Sequence, residues 1–318
     1  MSRFRQNHQR SSRGSGFLAK GLLMSVILIV FMVYIFYQLK DQIVDSPQAQ
    51  QNKKYEIKYE SDIEDQSQFY EAEEDRDYLP ETKGNLIHHT YYSLDYNEQW
   101  EQANWVAYRL TKASLLVPNV KRSNRFNYDS QISSRSAVHS DYTHSGYTRG
   151  HMAPAGDMAF NQVAMTESFL MSNMSPQLRG CNNGIWKELE ENVRDWAFDN
   201  DELIVISGPI FYSKNPQKIG QKNKVAVPEA FFKILVDNEG SDKKSIAFVI
   251  PNSTEDDPLS EFAVSIDEVE KLTGIDFFYN YNENGFNEST LESEFNTKYW
   301  KVDKKRYRQR VNNWNNQK

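Results

Sequence analysis

The run Tyr147-Thr148-Arg149-Gly150-His151 holds three residue types suited to phosphate chemistry. A neutral imidazole accepts a proton near pH 7. An arginine presents a planar fork of donors matched to phosphate oxygens. The glycine between them lets the backbone come close to a ligand. A histidine beside a glycine is structural in most proteins, so the meaning of this trio depends on what the rest of the chain supplies.

A second constellation lies downstream. Ser172-Asn173-Met174-Ser175-Pro176-Gln177 is followed by Asn182-Asn183-Gly184, and then by Glu190. Asn182 places an amide oxygen at a helix entrance, and Glu190 places a carboxylate about two turns further in. Magnesium is a hard, octahedral ion that keeps several waters, so one protein oxygen plus substrate phosphates makes a reasonable site for it. A nearby carboxylate orients metal-bound water.

Positioning these groups requires a scaffold. Beyond Gly184, Ile185, Leu189, Val193 and Trp196 recur at i, i+4, i+8 and i+11, which predicts a helix with one apolar face. Asn182 and Asn183 are its candidate N-caps. A second helix is predicted from Ser265, with Glu268 three residues on as a capping box and Gly274 as the stop. Residues 86–94 read as a strand or pair, and 99–110 end in another strand. Residues 203–207, 231–236 and 245–250 read as further strands. Strands and helices interleave without a βαβ rhythm, which points to an α+β fold.

The net charge of −7 argues against a protein that coats nucleic acid indiscriminately, although the charge is unevenly spread. Cys181 is the single cysteine, which excludes an intramolecular disulfide and any multi-cysteine metal site. Beside Asn182 it reads as a small space-filler. Residues 1–16 are polar and basic. The apolar run 17–39 reaches the roughly 20 residues that a bilayer crossing needs. No small-x-small cleavage site follows Tyr37, so an uncleaved signal anchor is favoured over a removed signal peptide. The basic flank would remain cytoplasmic, which puts the chain beyond Lys40 on the extracytoplasmic or periplasmic side of the inner membrane.

Residues 40–85 are acidic and polar, as expected of a flexible tether. The end of the chain carries Lys304-Lys305-Arg306-Tyr307-Arg308-Gln309-Arg310, either a phosphate-binding surface or a solvated basic tail. His139 and His144 approach His151 in sequence, but their spacing fits no helical zinc motif. No His-Glu-x-x-His, Walker loop or Gly-x-Ser-x-Gly elbow occurs, which leaves protease, NTPase and esterase readings without support.

From about residue 85 to about residue 281 the sequence resembles the DNA/RNA non-specific endonuclease family. These ββα-metal nucleases include mitochondrial endonuclease G and secreted bacterial nucleases. Six ordered blocks carry the resemblance: residues 103–108, 145–157, 172–177, 207–209, 227–233 and 265–270. It implies a ββα-metal (His-Me finger) nuclease fold, a central antiparallel sheet flanked by helices, here preceded by a single transmembrane helix. By the same resemblance His151 is the general base of the family's Asp-Arg-Gly-His motif, and Asn182 holds one magnesium, with manganese as an alternative ion. Asn173 and Glu190 fall at supporting active-site positions. Arg122 matches a phosphate-contacting arginine, with Arg125 competing for that role, and Arg149 is the arginine of the motif itself.

The family's aspartate is Thr148 in this chain. The organisation expected is therefore a basic N-terminus (1–16), a membrane anchor (17–39), an acidic linker (40–85), a nuclease domain (86–300) and a basic tail (301–318). Expected partners are DNA and RNA through their backbone phosphates, the membrane through residues 17–39, and a second copy in a homodimer. The rival expectation is a non-catalytic, membrane-tethered nucleic-acid-binding protein derived from this fold, with Thr148 marking a decayed site.

Overall fold

The computed structural model describes residues 76–134, 136–237, 243–279 and 288–316. The expected anchor at 17–39 and most of the acidic linker lie outside these residues. Among the described residues no helix is long and apolar enough to cross a membrane.

Seven antiparallel strands form the central sheet. In chain order the strands of the molecule are β1 (Asn85–His88), β2 (Ser93–Asn97), β3 (Gln102–Thr111), β4 (Thr148–His151), β5 (Met174–Gln177), β6 (Glu202–Ile210), β7 (Lys218–Ile219), β8 (Val225–Ala226), β9 (Ala230–Asp237), β10 (Lys244–Pro251) and β11 (Ala263–Val264). The central sheet runs β1-β2-β3-β6-β9-β10-β11, while β4 pairs with β5 and β7 with β8 in two small ribbons. The strands predicted at 203–207, 231–236 and 245–250 are β6, β9 and β10, each extended by a few residues.

Burial on both faces explains why these strands read as continuous apolar runs. Successive side chains point to opposite faces. Val106, Tyr108, Leu203, Val205, Phe231 and Leu235 therefore share one core with Trp186, Leu189, Val193 and Trp196 of helix α1 (Trp186–Asp199). Trp105, Ala107, Ile204, Ile206, Phe232, Ile234 and Val236 share the other with Ile266 and Val269 of helix α2 (Ile266–Thr273). The result is three layers, helix, sheet and helix. Helix α2 begins as predicted, with the Ser265 hydroxyl accepting from the Glu268 amide, and stops at Gly274 in the left-handed conformation.

Three expectations need correction. Asn182 and Asn183 do not cap α1. They sit in the segment Cys181–Ile185 ahead of α1, which kinks at Gly184, where the backbone is not helical (φ −102°, ψ −111°), and among the described residues no side chain caps the start of α1. The packed domain also begins before residue 86. Tyr78 is buried beneath the Arg109 guanidinium, and Trp105 Nε1 donates to Glu81 O at 3.0 Å.

The third correction concerns residues 301–318, which are not a solvated tail through their described length. Helix α3 (Lys304–Gln309) and the following turn, Arg310–Trp314, lie on α1. Arg306 pairs with Glu191 and Asp195 at 2.9 Å each, and Arg310 pairs with Glu188 at 2.5 Å. Helix α1 presents an acidic stripe on the side away from its apolar face, and the basic segment neutralises it.

Candidate active site

The short ribbon β4–β5 and the helix behind it bring the two sequence constellations together. Thr148 lies opposite Gln177 and His151 opposite Met174. Gly150 is required by close approach, since a Cβ there would collide with the Gln177 side chain. Trp186, the first residue of α1, donates its Nε1 to His151 O at 3.3 Å and so ties ribbon to helix.

His151 is buried, and its Nε2 has no hydrogen-bond partner among the described residues. The Phe169 ring stands edge-on to it at 4.9 Å, and Phe126 is 6.1 Å away. Each ring carries a cation, with Arg122 5.1 Å above Phe169 and Arg149 4.5 Å above Phe126. Burial, followed by the charges of Arg122 and Arg149, pushes the His151 pKa down to about 3. The imidazole is thus held neutral, in the form that accepts a proton. Arg122 thus lies over the ring that stands edge-on to His151.

Asn173 works from behind. It is fully buried; its Oδ1 accepts from Ala153 N at 2.8 Å, and its Nδ2 donates to Ala153 O and Ser168 O. It thereby fixes the chain two residues past His151. Asn173→Ala would leave three buried backbone groups unpaired, so a loss of at least ~2 kcal/mol in urea unfolding is expected. Asn173→Asp should be worse, because a carboxylate would face two carbonyl oxygens.

Asn182 reaches Thr148 rather than a helix end, with Nδ2 2.8 Å from Thr148 Oγ1. Its carbonyl oxygen takes no hydrogen bond among the described residues, which fits a hard cation that prefers oxygen ligands.

Glu190 joins a network on the sheet side of α1. Burial pushes its carboxyl up, against the pull of Lys233, Arg194 and Arg122, while Asp157 adds to the rise. Lys233 is 1% exposed, donates to Ser207 Oγ at 2.5 Å and lies 4.7 Å above the Trp186 ring. Arg194 pairs with Asp157 at 2.8 Å, and Asp157 also accepts from Tyr108 Oη at 2.6 Å.

The rings of Phe126 and Phe169, the buried Lys233 and the Gln177 amide lie around the candidate site, and sequence reading gives none of them a role. Lys233 left a signal, since a lysine within Phe231-Phe232-Lys233-Ile234-Leu235 must be paired if that strand is central. Gln177 is fully buried with both amide atoms unpartnered among the described residues, and although it ends the block 172–177, nothing in the sequence gives it a role. His139, His144 and His151 do not converge as metal ligands among the described residues. Cys181 is buried and burial pushes its thiol up, which suits a space-filler.

Two arginines gathered around a buried imidazole make an arrangement suited to anionic esters. The sequence model of the family described as DNA/RNA non-specific endonuclease matches residues 75–284, and the chain belongs to that family. It is accordingly a nuclease. A nuclease of Syncephalastrum racemosum is 36% identical over 221 residues, covering 63% of this chain and 69% of that one. Nuclease C1 of Cunninghamella echinulata var. echinulata is 35% identical over 215 residues, 63% of this chain and 84% of its own. The mitochondrial nuclease EXOG of Mus musculus is 32% identical over 206 residues, 60% and 56% respectively. Among solved structures, a chain of the EndoG/EndoGI complex superposes with a TM-score of 0.58 at 33% identity, covering 63% of this chain and 87% of that one.

Proposed function

We propose that the protein is a metal-dependent endonuclease of the ββα-metal type that hydrolyses DNA and RNA with little sequence preference. His151 is its general base and Asn182 its metal ligand. The observation that carries this reading is the buried His151 imidazole beside Phe169 and Phe126, the two rings over which Arg122 and Arg149 lie. His151 removes a proton from the attacking water as its oxygen bonds to phosphorus, and the bond to the 3′ oxygen breaks. Arg122 and Arg149 hold and neutralise phosphate oxygens. A divalent ion, magnesium or manganese, supplies charge stabilisation at the scissile phosphate when bound. Contacts of this kind go to the backbone, which is the same for every sequence.

The apolar run 17–39 supports a place on the outer side of the inner membrane, with the nuclease domain extracytoplasmic. The test is cleavage of supercoiled plasmid and of an RNA transcript by the purified chain, before and after treatment with EDTA. Cleavage that stops with EDTA and returns with magnesium is the expected result. Tight DNA binding with no cleavage under any divalent ion would favour the non-catalytic rival.

A further inference from the structure

Thr148 stands where the family carries a carboxylate, and its surroundings define what it does. Its hydroxyl lies 2.8 Å from the main-chain oxygen of Gln177 and 2.8 Å from Asn182 Nδ2. A carbonyl oxygen only accepts, so the single hydroxyl hydrogen is committed to Gln177. Toward Asn182 the hydroxyl is left with lone pairs alone. The Asn182 amide must therefore turn its nitrogen to Thr148, which leaves Oδ1 on the opposite side of the group. An inverted amide would set Asn182 Oδ1 against a hydroxyl oxygen with no proton to share.

We propose that Thr148 is a positioning residue: its hydroxyl relays the orientation of the β4–β5 backbone to the Asn182 amide and holds Oδ1 outward for the metal. This rests on the reading of Asn182 as the metal ligand. It makes the departure from the family aspartate a working substitution rather than a sign of decay. A carboxylate would accept from the amide nitrogen equally well, but it could not donate to Gln177 O. In this chain the ribbon and the metal-ligand turn are linked through one proton-sharing group.

The experiment is Mn²⁺ binding to the full chain without nucleic acid, read by electron paramagnetic resonance, for wild type, Asn182→Ala, Thr148→Val, Thr148→Ala and Thr148→Ser. Thr148→Val and Thr148→Ala are expected to weaken binding about 10–100-fold, the usual effect of losing the partner that orients a ligand. Thr148→Ser should bind like wild type. The serine and alanine variants both lack the methyl and differ only in the hydroxyl, so their contrast holds even if the valine variant misfolds. Wild-type affinity in Thr148→Ala, or equal weakening in Thr148→Ser and Thr148→Ala, would overturn the relay while leaving the metal site standing. Undiminished binding in Asn182→Ala would overturn the metal-ligand reading and the relay together.

Discussion

Alanine in place of His151 is expected to slow plasmid cleavage about 100- to 10,000-fold, the range supplied by a positioned general base. Binding of DNA should change far less, since Arg122 and Arg149 remain. The pH profile is a sharper readout than the rate. The imidazole pKa is pushed down to about 3, chiefly by burial and then by the two arginines. Activity should therefore show no acid limb near the ordinary histidine value of 6.5. Arg149→Gln or Arg122→Gln should move the limb upward, but not fully to 6.5, because burial remains.

The same shift bears on stability. Between the folded value of about 3 and the unfolded value of 6.5, the unfolded chain binds more protons at this residue. Stability should thus fall as pH drops through that window. His151→Ala should flatten that slope in urea unfolding measured from pH 7 down to pH 4. An unchanged cleavage rate in this variant would remove His151 from the chemistry.

The sheet strands and both principal helices could be read from the sequence because each is long and strongly patterned. A period of two or of 3.6 is a property of neighbouring residues. Of the candidate site, Asn173 sits in a recognisable block, and Asn182 and Glu190 follow it at the spacing of a turn and the helix beyond. What stayed hidden depends on contacts between distant segments. Phe126 and Phe169 lie 43 positions apart and meet at 5.1 Å only after folding. Asn182 looked like a helix cap because asparagine ahead of an apolar repeat usually is one. Thr148, 34 positions away, captures its amide instead. The basic run 304–310 read as either a phosphate-binding surface or a solvated tail because the acidic residues that pair with it are more than a hundred positions upstream, on one side of α1.

Arg310→Ala is expected to be among the most destabilising single changes in the molecule. Arg310 and Glu188 are both fully buried, and the guanidinium also donates to the main-chain oxygens of Glu255 and Asp257. Removing one partner of a buried ion pair leaves the other charge uncompensated, at a cost of about 3–5 kcal/mol. For a domain of this size each kcal/mol lowers the melting temperature by about 2–4 °C. Burial already raises the Glu188 carboxyl, and Arg310 is the largest influence holding it down. Without Arg310 its folded-state pKa rises further above the unfolded value. The variant then regains stability as pH falls through that raised value, because the carboxyl can be buried in its neutral form.

The deficit of Arg310→Ala relative to wild type should therefore shrink between pH 8 and pH 5 in urea unfolding. It should not vanish, since the two carbonyl oxygens lose their donor at every pH. Replacing both partners by methionine should recover the part of the loss that comes from the uncompensated carboxylate, while the two carbonyl oxygens still lack their donor. The consequence extends toward the active site. Glu188 lies on the first turn of α1, and Asn315 packs against Gly184, two residues from Asn182. A Cβ at 184 would press on Asn315 Oδ1, so the terminal turn and the segment Cys181–Ile185 are fitted to each other. Loss of the Arg310 anchor is expected to reduce cleavage at saturating substrate more than it weakens DNA binding. A deficit of Arg310→Ala that is equal at pH 8 and pH 5 would show that Glu188 is not the charge being neutralised.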